Sequence, residues 1–175
     1  MDERRRRFEA QALPHLDAAF NLARWLTRAP ADADDVVQDA MLRAWRGFDG
    51  LRGGDARPWL LTIVRNCWRD RAADGRRRGQ VPLDDGIGIA DARPGPEGEA
   101  ARADEGRKLD AVIATLPEEF RTVLVLREME DLSYREIAAV TEVPIGTVMS
   151  RLARARAMLR EAWIGKMEGG AHGLR

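Results

Sequence analysis

The chain has 175 residues, which is enough for one large domain or two small ones. Its 29 Lys and Arg residues balance 29 Asp and Glu residues, so the mean charge indicates no particular partner. A single cysteine excludes an intramolecular disulfide, and the two histidines lack metal-ligand spacing, so we predict no metal and no cofactor. No apolar run approaches the ~20 residues that span a bilayer, and the basic N-terminus lacks the apolar segment of a secretory signal. We therefore expect a soluble cytoplasmic protein without membrane insertion.

Apolar spacing predicts three helices in the N-terminal half. Residues 1–12 are charged, and we expect a flexible N-terminus there. Apolar side chains at helical spacing predict a helix over 13–28 and a second over about 33–48, separated by Pro30. A glycine-rich loop follows at 50–56, and Pro58 suits the first turn of a third helix.

Acidic and basic residues are segregated along the chain. Residues 57–78 contain seven arginines, whereas residues 81–107 contain seven acids and three arginines. The stretch 79–107 is rich in Gly, Pro and Ala, and it shows no apolar stripe, so we interpret it as a flexible acidic linker. Its relaxed span is about 30 Å and its extended span roughly 90 Å. We therefore expect the free protein to be more compact than a form stretched over a large partner.

The stretch 132–160 has the pattern of a helix-turn-helix. Ser133 and Glu136 have the spacing of a capping box, which predicts a helix start. Pro144 and Gly146 then interrupt the pattern, and a second helix from about Thr147 carries four arginines and no acid up to residue 160. Such a second helix can enter the major groove of DNA. The alternative is an ordinary amphipathic hairpin with a solvated basic face.

The C-terminal half resembles region 4 of the sigma-70 family, in its extracytoplasmic-function (ECF) branch. The matching residues are Leu116-Pro117, Leu132-Ser133-Tyr134, Glu136-Ile137-Ala138, Pro144, Gly146-Thr147-Val148, Ser150-Arg151-Leu152 and Ala155-Arg156. The resemblance implies docking to the β flap of RNA polymerase and recognition of the −35 promoter element. The residues implied for the −35 element are Thr147, Met149, Ser150, Arg151, Arg154 and Arg156.

The N-terminal half resembles region 2 of the same family. The resemblance rests on the runs 33–39, 42–45, 57–60 and 63–66, together with Phe48. It implies docking to the β′ clamp helices of core RNA polymerase through Asp35, Gln38, Asp39, Leu42 and Arg43. It also implies capture of the melted −10 element by Leu51, Arg52, Arg57, Trp59, Arg65, Asn66 and Arg69. From the residues alone, core packing is the favoured interpretation for Trp45 and, by a smaller margin, for Trp59.

The expected fold is all-α, with two small helical domains. We assign region 2 to residues 13–78, the linker to 79–107, region 4 to 108–164 and a disordered tail to 165–175. The resemblance implies a non-enzymatic initiation factor that helps open promoter DNA, takes part in a stress response and is controlled by an anti-sigma factor. Two alternative functions are that of a stand-alone helix-turn-helix regulator and that of a protein that only titrates polymerase or an anti-sigma factor.

Two positions depart from the family pattern. Met149 stands where many relatives carry a cation, so fewer hydrogen-bonding groups remain for the −35 element, and its side chain could contact a thymine methyl. Glu142 stands at a turn where glycine is common, and we expect a positive φ there, at a cost on the order of 1 kcal/mol.

Overall fold

The computed structural model describes residues 3–51, 53–78 and 97–171, with side chains described from 3 to 78 (except 52) and from 104 to 166. Eight α-helices cover most of this part of the chain, and it contains no strand. The helices are α1 (Glu3–Ala12), α2 (Leu16–Thr27), α3 (Pro30–Gly47), α4 (Ala56–Arg77), α5 (Glu97–Thr115), α6 (Glu118–Glu128), α7 (Tyr134–Thr141) and α8 (Ile145–Ala171). The predicted all-α fold is therefore confirmed.

The N-terminal domain is built by α2, α3 and α4, which pack on one another in all three pairings. Leu22, Val36, Leu60 and Val64 are at most 1% exposed in its core. Cys67 is also fully buried, and burial raises the pKa of its thiol, so it is a packing residue with little thiolate character. Asp55 begins α4 by accepting a hydrogen bond from the Arg57 amide at 2.9 Å.

A helix occupies most of the segment that we expected to be flexible at 1–12. Phe8 is buried, with its ring edge-on to Trp45 at 5.2 Å and to Phe48 at 5.3 Å between centroids. Arg4 donates to the Trp45 carbonyl at 2.6 Å and lies over the Trp45 ring. One aromatic residue among charges is enough to dock the helix, because aromatic burial and ring pairing are both favourable. The expectation for this segment is corrected accordingly.

The C-terminal domain is built by α5 to α8, with α6 at its centre. Val123, Leu124, Val125 and Leu126 are all buried. The predicted capping box is present: Ser133 Oγ accepts from the Glu136 amide, and the Glu136 carboxylate accepts from the Ser133 amide. Glu142 adopts the predicted left-handed conformation, with φ 57° and ψ 39°. This turn sets the angle between α7 and α8.

Two boundaries differ from the sequence-based ones. Helix α5 begins at Glu97, inside the segment assigned to the linker, where Asp104 and Lys108 form an i,i+4 pair at 2.6 Å. Helix α8 continues to Ala171, through most of the tail that we expected to be disordered from 165. Propagation of an existing helix adds one hydrogen bond per residue, so glycines at its end do not prevent it. The rest of the predicted linker, 79–96, and residues 172–175 lie outside the described residues.

The two domains pack directly against each other. Helix α6 contacts α2, and α7 contacts α4, so buried residues of both halves form one continuous core. This arrangement explains why α6 is apolar on most sides: it contacts α7 and α8 of its own domain and α2 of the other.

Candidate nucleic-acid and polymerase interfaces

The N-terminal turns of α8 present an exposed face that mixes apolar and polar side chains. Val148, Leu152 and Ala155 are buried under it, which fixes the rotation of the helix. Met149 is 53% exposed, and Ser150 and Arg154 are also exposed. Thr147 is partly buried, and its carbonyl accepts a hydrogen bond from Ser150 Oγ at 3.0 Å. A helix with such an exposed face can enter a major groove.

The other two arginines predicted to contact the −35 element are held by acids of α6. Arg151 Nη2 lies 2.9 Å from Glu119, and the Arg151 side chain is only 24% exposed. Arg156 donates to Glu128 through Nε and Nη2, the shorter contact being 2.6 Å. The hydrogen bond to Glu128 raises the pKa of Arg156. Both pairs tie α8 to α6, and they orient these arginines when DNA is absent.

The docking residues predicted on α3 share one exposed face. Asp35, Gln38, Leu42 and Arg43 are exposed, Leu42 by 50%, and Asp39 is partly exposed. Arg71 of α4 bridges the two acids, at 3.0 Å from Asp35 and 2.7 Å from Asp39. Arg71 is not among the residues predicted for this surface, so the sequence did not reveal its bridging role. Arg43 pairs with Asp70 at 2.6 Å, and that hydrogen bond raises its pKa.

The residues predicted for the −10 element are divided between two environments. Trp59 packs on Phe48 at 6.4 Å between ring centroids, and Leu51 is partly buried near the same core. Asn66 is partly buried and lines a polar groove with Arg69 and Arg76. Arg52 lies outside the described residues. The two groups of residues lie at different parts of α4, and the structure does not gather them into one closed pocket.

Three of the arginines predicted for the −10 element contact the C-terminal domain. Arg57 Nη2 donates to Glu130 at 2.7 Å, and Arg69 Nη1 donates to Glu142 at 3.0 Å. Arg65 Nη1 lies 3.7 Å from the same Glu142 carboxylate. Burial is the main cause that lowers the pKa of Arg65, and the neighbouring positive charge of Arg69 lowers it further. Sequence reasoning missed both acids as partners, since neither lies near its arginine in sequence.

The described residues contain no group of three or more His, Cys, Asp or Glu side chains able to hold a metal ion. Within the same ranges, no helix is both long enough and apolar enough to cross a bilayer.

Comparison with known proteins matches both halves of the chain. The family model described as Sigma-70 region 2 matches residues 13–78, and the one described as Sigma-70, region 4 matches residues 106–159. The ECF RNA polymerase sigma factor SigE of Mycolicibacterium smegmatis is 34% identical over 84% of this chain. The matched stretch covers 58% of the length of that relative. The ECF RNA polymerase sigma-E factor of Haemophilus influenzae is 35% identical over 79% of this chain and 77% of its own length.

Among solved structures, the fold matches the sigma factor RpoE from Bartonella quintana, crystallised in complex with the anti-sigma factor NepR. The TM-score is 0.71 at 29% sequence identity, and the match covers 89% of this chain and 95% of that one. The region 2 match precedes the region 4 match, which contains α7 and the first turns of α8. The chain therefore belongs to the sigma-70 family as an ECF-type sigma factor, the class of protein that directs RNA polymerase to promoters.

Proposed function

We propose that this chain binds core RNA polymerase through the exposed face of α3 and reads promoters with its two domains. The α3 face (Asp35, Gln38, Asp39, Leu42 and Arg43) docks on the β′ clamp helices, and the C-terminal domain meets the β flap. The N-terminal turns of α8 read the −35 element, and the N-terminal domain receives the −10 strand as it melts. The chain itself catalyses no reaction, and it acts in the cytoplasm with its polymerase.

The observation that carries the proposal is the pair of separate exposed faces. One is the exposed face of α8 that carries Ser150 and Arg154, supported from below by Val148 and Leu152. The other is the mixed acidic and apolar face of α3, on which Leu42 is half exposed although the adjacent Val36 and Ala40 are buried. A cationic recognition helix is typical of DNA binding. A single exposed leucine is ordinary at a protein surface, so the docking role of the α3 face is supported by the match of residues 13–78 to Sigma-70 region 2.

The partner that controls the chain is proposed from the relative of known structure. The Bartonella quintana sigma factor was crystallised with the anti-sigma factor NepR. We expect an anti-sigma factor for this chain as well, and its release would be the step that responds to stress.

The test is transcription in vitro from a genome-derived promoter library, using core RNA polymerase with and without the chain. We expect start sites that depend on the chain and share two spaced upstream motifs. The variant Arg151→Ala/Arg154→Ala should lose these starts while keeping its affinity for core polymerase. A matched control, Arg107→Ala/Lys108→Ala, removes two cations from exposed positions of α5 and should keep the starts.

Two outcomes would contradict the proposal. Binding to core polymerase without new start sites would favour a titrating protein. Tight binding to duplex DNA without any association with core polymerase would favour an independent helix-turn-helix regulator.

A further inference from the structure

Three arginines of α4 face the C-terminal domain along one side of the helix. Arg57, Arg65 and Arg69 fall on a repeat of four residues, with the fully buried Leu61 between the first two. Residues four apart share one face of a helix. The side facing α3 carries Asp70 and Arg71 instead, which pair with Arg43, Asp35 and Asp39. Helix α4 therefore separates a side that pairs with the docking helix from a side that pairs with the other domain.

Glu130 pairs with Arg57, the first of these arginines. Its side chain is 6% exposed, and it accepts hydrogen bonds from Arg57 at 2.7 Å and from Asn21 at 2.6 Å. Both donors belong to the N-terminal domain. A buried carboxylate requires charged or hydrogen-bonding partners, because its desolvation is otherwise very unfavourable. Glu130 is thus a residue of the C-terminal domain whose burial depends on contact with the N-terminal domain.

Glu142 pairs with the other two arginines, and its own backbone conformation is unusual. It holds a left-handed conformation that favours glycine, and its carboxylate lies 3.0 Å from Arg69 and 3.7 Å from Arg65. Arg65 Nη1 also donates to the Val140 carbonyl at 3.5 Å, in the last turn of α7. The C-terminal end of a helix favours cations. The turn after α7 therefore presents an anionic site that a glycine at 142 would lack.

We propose that these contacts form an interdomain ion-pair network, made by Glu130 and Glu142 with Arg57, Arg65 and Arg69, that holds the free chain closed and masks the arginines from nucleic acid. Carboxylate and phosphate both suit the guanidinium fork, so the two acids occupy the groups that the −10 strand would use. The masking rests on the proposed function, whereas the closure does not. The docking residues Asp35, Gln38 and Leu42 remain accessible in the closed form. Binding to polymerase can therefore precede opening, and DNA capture requires that the network be broken.

The test of closure is single-molecule energy transfer on the full chain, which counts closed and open molecules. Dyes are placed at Gln11→Cys in α1 and Glu161→Cys in α8, both exposed positions. Cys67 is fully buried and should remain unlabelled in the native protein. We expect Glu130→Gln/Glu142→Gln to raise the open-to-closed ratio about two- to tenfold, and added salt to raise it in the unsubstituted chain.

A matched control separates the network from charge removal in general. Glu119→Gln/Glu128→Gln removes two carboxylates that pair with arginines inside the C-terminal domain, so the ratio should stay unchanged. A second test uses charge reversal: Glu142→Arg should open the chain, and adding Arg69→Glu should close it again. This rescue distinguishes loss of the ion pair from misfolding. An unchanged ratio in the double Gln variant, equal opening in the control, or failure of the rescue would overturn the network.

Masking is measured with a labelled single-stranded oligonucleotide of mixed sequence as the probe. The double Gln variant should bind it about two- to tenfold more tightly than the unsubstituted chain. Opening without tighter binding would overturn the masking and would count against the −10 assignment of the three arginines, while the closure would stand. Tighter binding by a variant that stays closed would show that closure is not what keeps the oligonucleotide from the arginines.

Discussion

Glu142 in the turn between α7 and α8 accepts a hydrogen bond from Arg69 of α4 at 3.0 Å while holding a φ of 57°. The same residue therefore carries a backbone cost within its own domain and an ion pair to the other. Removal of the side chain relieves the backbone cost and abolishes the ion pair. The two effects on stability therefore have opposite signs and can be separated by substitution.

Glu142→Gly should stabilise the C-terminal domain and weaken the contact between domains. Glycine adopts positive φ without the steric penalty, which favours the variant by about 1 kcal/mol. The lost pair with Arg69 is half exposed and contributes at most about 1 kcal/mol, less at high salt. In 0.5 M salt the thermal midpoint should rise, and the open fraction should rise at every salt concentration. Glu142→Asn is the control that keeps tolerance of positive φ without the charge. A lower midpoint at high salt would show that the turn is not strained.

Arg121→Leu should destabilise the C-terminal domain by about 2–6 kcal/mol. Arg121 is 3% exposed, and its Nη1 donates to the carbonyls of Ala114 at 3.1 Å and Leu116 at 2.9 Å at the end of α5. Burial lowers its pKa to about 10, so the guanidinium stays charged at neutral pH. Leucine fills part of the space but leaves both buried carbonyls without a donor, at about 1–3 kcal/mol each. The measurement is the urea midpoint. An exposed arginine, Arg135→Leu, should change it by less than about 0.5 kcal/mol.

Met149→Lys should increase the affinity of the C-terminal domain for duplex DNA and reduce its dependence on sequence. Met149 is 53% exposed beside Ser150 on the outward face of α8, so a lysine there can reach a phosphate. One added phosphate contact raises the slope of log affinity against log salt by about one. The measurement is polymerase-dependent promoter binding at several salt concentrations. Met149→Gln is the uncharged control and should leave the slope unchanged. An unaltered slope with lysine would place residue 149 away from the DNA.

Substitution of Asp35 and Asp39 should weaken binding to core polymerase. Asp35→Asn/Asp39→Asn removes the charge that Arg71 bridges, on the exposed face of α3. We expect a loss of affinity of about tenfold or more, because the few residues that dominate an interface each contribute on the order of 2 kcal/mol. Asp32→Asn/Asp34→Asn removes the same number of negative charges from exposed positions at the start of α3, and this variant serves as the control. Equal losses in both variants would indicate a general charge effect, and no loss would move the docking surface elsewhere.

The parts of the fold that the sequence predicts well are those fixed by neighbours in the chain. Ser133 and Glu136 are three residues apart, so their capping box is readable directly, and the left-handed turn at Glu142 follows from the motif around it. Contacts between distant segments have no such signal. The pairing of Arg57 with Glu130, 73 residues apart, depends on how two amphipathic surfaces dock, and either residue alone resembles an ordinary surface charge. Arg71 likewise lies 36 residues from Asp35 and 32 from Asp39, so its neighbours in the chain give no sign of the two carboxylates it bridges.

Helix α1 is the clearest case of a missed element, and Phe8→Ala tests it. Phe8 is the one aromatic residue in a segment dominated by charge, and it is 8% exposed between Trp45 and Phe48. Truncation of a buried phenylalanine costs about 3–5 kcal/mol, part of it from the lost edge-to-face contacts. We expect a lower urea midpoint and faster hydrogen exchange in α1, whereas Arg6→Ala, at an exposed position of the same helix, should change neither. Phe8→Leu should recover part of the loss. A midpoint within about 0.5 kcal/mol of the unsubstituted chain would show that α1 does not stabilise the N-terminal domain.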